Sequence, residues 1–131
     1  MKPIKNTQDV KFRSGLQVER DQAVVQIAIF TQDLFDNIQK RKLGKVQLLT
    51  TGDVNLLTSL VRKLASAHFY LKYENAWLSA QPQKREVMYR LTVEHILKLI
   101  VKNNMPIANE LALSVTNILE DKYRKVFNPN A

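Results

Sequence analysis

Helix-breaking residues are few in this chain, and their positions divide it. Its three Gly and four Pro stand at Pro3, Gly15, Gly44, Gly52, Pro82, Pro106 and Pro129. Glycine adds backbone entropy that a helix must lose, and proline removes an amide donor, so both gather where helices begin and end. The main stretches between them carry apolar residues at the three-and-four spacing of one helical face. A chain punctuated in this way folds as helices on helices. The expected class is all-α, an antiparallel bundle of about four helices joined by short connections.

The expected division is a polar N-terminal arm over residues 1–16, broken by Pro3, Ser14 and Gly15, followed by one helical-bundle domain over 17–131. A total of 131 residues suits one domain of ordinary size. The first helix is predicted over 18–42, with Val24, Ile27, Ala28, Leu34, Phe35 and Ile38 inward. Val25, Ile29 and Phe30 widen that face, which predicts burial on more than one side. A strand through Val24–Phe30 competes but has no second strand-like run to pair with.

The second helix is predicted over 53–80, with Thr51 or Asp53 as N-cap and a stripe of Leu57, Leu60, Val61, Leu64, His68 and Leu71. Pro82 either ends it or opens a third helix over 83–103. Asn103-Asn104-Met105-Pro106 restarts the chain into a fourth, over 106–127, with Ile107, Leu111, Val115, Ile118 and Leu119 inward.

Several function classes drop out. With no Cys there are no disulfides, no thiolate chemistry and no cysteine zinc site. No stretch approaches the ~18 uninterrupted apolar residues of a membrane span. The opening Met-Lys-Pro-Ile-Lys-Asn-Thr has no apolar run behind its charge, so no secretory signal is expected and a cytoplasmic setting is. His68 and His95 sit on faces otherwise made of apolar residues and read as packed or edge-of-core side chains. Glu86, Glu94 and Glu110 show no paired inward pattern, and phosphate-cradling glycine loops and a nucleophile elbow are missing. The expectation is no enzyme, no cofactor and no metal.

The charge is more informative. The net +8 arises entirely from residues 37–105, where 12 basic groups face Asp53, Glu74, Glu86 and Glu94. The candidate nucleic-acid contacts are Lys40, Arg41, Lys42, Lys45, Arg62, Lys63, Lys72, Lys84 and Arg85. Clustered Lys and Arg favour phosphates through counterion release. A solvated basic surface is the plainer reading. Arg90, Lys98 and Lys102 are basic too, but Arg90–Glu94 and Glu94–Lys98 have the spacing of neutralising helical pairs.

On the second helix, Phe69, Tyr70, Tyr73 and Trp77 lie opposite the leucine stripe, where a surface helix should be polar. They are expected as a second core contact, an oligomer interface or a base-stacking surface. A bundle of this size has little room for a helix buried on two faces, so the chain is expected to form a homo-oligomer. A helix–turn–helix cut through 96–125 fits poorly, because Leu113-Ser114-Val115-Thr116 continues the helical period where the turn belongs. The resulting expectation is an accessory subunit that binds DNA or RNA as an oligomer, mostly through the backbone. The alternative is an adaptor or assembly subunit for an acidic protein partner.

Overall fold

The computed structural model describes residues 7–44, 50–103 and 108–127. They form four helices: α1 (Thr7–Gly44), α2 (Thr51–Ser79), α3 (Pro82–Asn103) and α4 (Ala108–Phe127). Among the described residues there is no strand, and no helix is long and apolar enough to cross a membrane. The all-α helical bundle stands as expected.

The first helix differs from its expected bounds. It begins at Thr7, so residues 7–16 belong to α1 instead of forming a free arm. A glycine inside a helix costs only about 1 kcal/mol relative to alanine, and contacts with α2 offset it. The Phe12 and Tyr70 rings meet edge to face with centroids 5.4 Å apart. Arg13 pairs with Glu74 and, at 3.6 Å, with Asp9 one turn earlier.

The start of α2 is a capping box one residue earlier than expected. Thr50 is the N-cap: its Oγ1 accepts from the Asp53 N–H at 3.1 Å, and its own N–H donates to Asp53 Oδ2 at 2.9 Å. Two amides that the first turn leaves without helical partners are satisfied together. At the other end, the Ala80 N–H donates to Trp77 O, and Pro82 opens α3 as a first-turn proline, where a missing donor costs nothing. Tyr73 leaves helical geometry, at φ −135° and ψ 51°, and kinks α2 there.

α2 packs against all three other helices, most extensively against α1. Its Leu57, Val61, Leu64, Ala65 and Phe69 are completely buried. Ile27 and Leu34 of α1, Val93 and Ile96 of α3, and Val115 and Leu119 of α4 close around them. Full burial of each large apolar side chain contributes about 1.5–3 kcal/mol. Tyr123 of α4 donates its hydroxyl to Met88 O of α3 at 3.1 Å, which ties two helices without leaving that phenol unsatisfied.

Burial on α1 is one-sided, contrary to the wide face read from the sequence. Ala23, Ile27, Thr31 and Leu34 point inward, whereas Val25 and Ile29 are more than half exposed. α2 and α4 take the inner side, and on the outer side α4 only borders a groove shared with Val25 and Ile29. Ile38 and Ile107, also expected inward, lie outside the residues whose side chains are described. On α4, Leu111, Val115 and Leu119 are buried as expected, while Ile118 is half-buried.

Candidate nucleic-acid interface

The nine basic candidates divide into distinct groups. Lys40, Arg41 and Lys42 fall in the closing turns of α1 with side chains outside those described, and Lys45 lies outside the described residues. Arg62, Lys72 and Arg85 are committed to links between helices. Arg62 pairs with Glu86 of α3 and lies 5.7 Å from the centroid of the Tyr89 ring. Lys72 Nζ donates to Glu120 Oε1 of α4 at 2.7 Å. The Arg85 guanidinium stacks 4.4 Å from the centroid of the Trp77 ring and donates to Trp77 O. Lys63 and Lys84 are exposed, with no side-chain partner among the described residues.

Three further cations complete the picture. Arg90, Lys98 and Lys102 are exposed on α3 and form no ion pair among the described residues. The helical spacing that suggested neutralisation by Glu94 is present, but the pairs are not made. At 100° per residue, Lys84, Lys98 and Lys102 fall within about 40° of one another, with Arg90 and Glu94 to one side. Lys84 and Lys102 are about 27 Å apart along the axis, at 1.5 Å per residue. Glu86, the other exposed carboxylate of α3, is occupied by Arg62.

The aromatic stripe turns inward. Phe69 is 0% exposed and Trp77 5%, so neither offers a ring face to a base or to a second copy. The expectation of an interface or stacking surface is corrected for these two residues: they form the second core contact. The Phe69 centroid lies 4.7 Å from Phe127 and 5.9 Å from Trp77, and Trp77 lies 5.1 Å from Phe127. Offset ring pairs of this kind add about 0.5–1.5 kcal/mol beyond burial. Tyr70 and Tyr73 sit at the rim, half-buried, with hydroxyls donating to Glu74 at 3.2 Å and Glu120 at 2.7 Å. α4 supplies the Phe127 ring and the Glu120 carboxylate that give α2 a second buried side.

Glu120 gathers three donors. His68 Nε2 and Tyr73 Oη each approach it at 2.7 Å, as does Lys72 Nζ. Burial pushes the carboxyl up, but hydrogen bonds from Lys72, His68 and Tyr73 and the Lys72 charge outweigh it and bring it down to about 2. Glu120 is therefore an anion at neutral pH, and His68 donates through Nε2–H. The Lys72 ammonium is shifted up, chiefly by its hydrogen bond to Glu120. Burial first and Glu120 second push the Tyr73 phenol up. His68 is more than the packed side chain expected. Its partner lies 52 residues away on another helix, beyond the reach of any local spacing rule.

Among the described residues no group of three His, Asp or Glu side chains has the arrangement of a metal site. Beside α1 and α4 runs an open groove lined mainly by apolar and amide side chains, with Asp33 and Glu110 at its edge. Comparison with protein-family models, curated proteins and solved structures finds no match for the chain.

Proposed function

We propose that the chain is a non-enzymatic accessory subunit that binds nucleic acid through phosphates along the outer face of α3, as an oligomer in a cytoplasmic setting. One observation carries this reading: Lys84, Lys98 and Lys102 stand exposed on one face of α3 over about 27 Å, with no ion-pair partner among the described residues. A duplex presents one negative charge per ~1.7 Å of its axis, so such a stripe meets a run of phosphates. Lysine-rich contacts of this kind position a backbone and do not read base edges.

Antiparallel order extends the surface. Arg13 with Glu74 joins the start of α1 to the end of α2, and Met88 with Tyr123 joins the start of α3 to the end of α4. With the start of α4 lying beside residues 24–33 of α1, these contacts support α1 and α3 running the same way. In that order Lys40, Arg41 and Lys42 lie at the same end of the bundle as Lys98 and Lys102.

Gel shifts with single- and double-stranded DNA and RNA, each at two salt concentrations, test the reading. The expected result is binding to generic polynucleotides with a steep log–log salt slope. Replacing Lys84, Lys98 and Lys102 with Glu should flatten that slope by up to about 0.9 for each duplex phosphate that is no longer neutralised. The matched control replaces Lys122, Arg124 and Lys125, exposed on α4. At physiological salt, where screening reaches about 8 Å, the α3 variant should remain the weaker binder. Equal weakening, or a parent protein that binds no polynucleotide, would overturn the proposal and favour an acidic protein partner.

A further inference from the structure

Val18, Val25 and Ile29 stand on the side of α1 opposite Ile27 and Leu34, 55%, 57% and 59% exposed, with Val25 and Ile29 at the edge of the groove beside α4. They are aligned, not scattered. Steps of four and three residues along α1 lead from Lys11 through Val18, Gln22, Val25 and Ile29 to Asp36. That alternation keeps one stripe of a helix against a partner helix. Leu113 of α4, 67% exposed, widens the apolar surface across the neighbouring groove.

The charges along the stripe name the partner. Between Lys11 and Asp36 it is uncharged, and those two residues are opposite in sign; Lys40 follows one turn later on the same face. Lys11 has no ion-pair partner among the described residues, and Asp36 accepts only from Gln32 Nε2, at 3.2 Å. A second copy related by a two-fold axis across the helix runs the other way. It sets Lys11 opposite Asp36, Val18 opposite Ile29 and Gln22 opposite Val25, each pair occurring twice. A parallel copy would oppose like charges at both ends. Two chains of net charge +8 repel over most of their surface, whereas between residues 11 and 36 this stripe carries one charge of each sign.

We infer that the stripe is the seam of a homodimer in which α1 lies antiparallel against α1 of a second copy. The inference rests on the self-association proposed above and assigns it a surface. Gly15 fits the seam. A Cβ there would meet nothing within 4 Å in its own chain, so no internal contact requires glycine. In the dimer it faces Gln32, where a missing side chain leaves room for the amide. The seam is about 37 Å long at 1.5 Å per residue and one helix wide. That area lies at the small end of specific interfaces, which makes the pair a weak, reversible dimer.

Sedimentation equilibrium on the intact chain, with circular dichroism as a check on folding, tests this. The parent should approach twice 15.1 kDa as concentration rises. Val25→Asp combined with Ile29→Asp should give a folded monomer. Lys11→Asp or Asp36→Lys alone should weaken the dimer about threefold to tenfold, and the two together should restore it. A parent that stays monomeric at the highest concentration reached overturns both the seam and self-association. A parent that dimerises regardless of the Val25 and Ile29 changes overturns the seam alone. A double reversal no better than the single ones overturns the antiparallel register.

Discussion

α1 and α2 are the two longest helices, and each carries a second apolar side. They use it in opposite ways. On α2 the extra side is aromatic, and Phe69 and Trp77 meet Phe127 of α4 within the same chain. On α1 it is β-branched, and Val18, Val25 and Ile29 stay more than half exposed. Hydrophobic periodicity reports that a face wants cover. It does not report whether that cover comes from the same chain, because it contains no information on which helix the topology places in the centre.

The widest separation between the two helices should appear on placing one carboxylate in each. Leu64→Asp puts a carboxyl at a fully buried position of α2. Keeping that carboxyl neutral and losing the leucine packing together cost an amount comparable to the 5–15 kcal/mol that holds a typical domain together, so the helical circular dichroism signal should collapse. Val25→Asp on the outer ridge of α1 should leave monomer stability within about 0.5 kcal/mol, as surface changes usually do. Similar melting points for the two would mean that the buried and exposed positions are wrongly assigned.

A smaller effect is expected at Glu120, which joins α4 to the kinked part of α2. Glu120→Gln removes the anion shared by His68, Lys72 and Tyr73 and should cost about 1–3 kcal/mol in urea unfolding. Acid should reproduce the loss. The folded carboxyl titrates near 2, below its ordinary 4.5, so its contribution is complete above about pH 4.5 and disappears as pH falls towards 2. The slope is at most about 1.4 kcal/mol per pH unit, less in practice because Lys72 is half exposed to solvent. Urea midpoints between pH 2 and 7 should show that limb in the parent and a flatter one in the Gln variant.

The smallest change belongs to α1 and should be favourable. Gly15 lies within a helix, with open space where a Cβ would go. Gly15→Ala should therefore stabilise the monomer by about 0.4–1 kcal/mol, read as a rise in melting temperature at low concentration. A fall in melting temperature would show that α1 needs glycine for a reason inside its own chain.

These contrasts also mark what the amino-acid order could disclose. The four helices were legible because breakers and apolar spacing agree, and the inward Leu57, Val61, Leu64, Val115 and Leu119 followed from period alone. The start of α1 was not legible: Ser14 and Gly15 suggest an interruption, and only the distant Tyr70 and Glu74 make the helix worth continuing. At the candidate interface, charge clustering located the basic half but mis-weighted its members. Arg85 and Lys72 look as available as Lys84 until Trp77 and Glu120 occupy them. Arg90 and Lys98 look neutralised by Glu94 until the pairs prove unmade. Side-chain partners across helices depend on the rotation of each helix about its axis, which no one-dimensional pattern encodes.

Trp77 is the only tryptophan in the chain, and its setting gives the molecule a built-in optical reporter. The indole is enclosed by Phe127, Tyr89 and the Arg85 guanidinium, at the junction of α2, α3 and α4. Loosening that junction admits water to the ring and shifts its emission to the red, whereas the ridge of α1 contributes nothing to its surroundings. Emission colour thus records the integrity of the bundle and stays silent when two copies meet along α1.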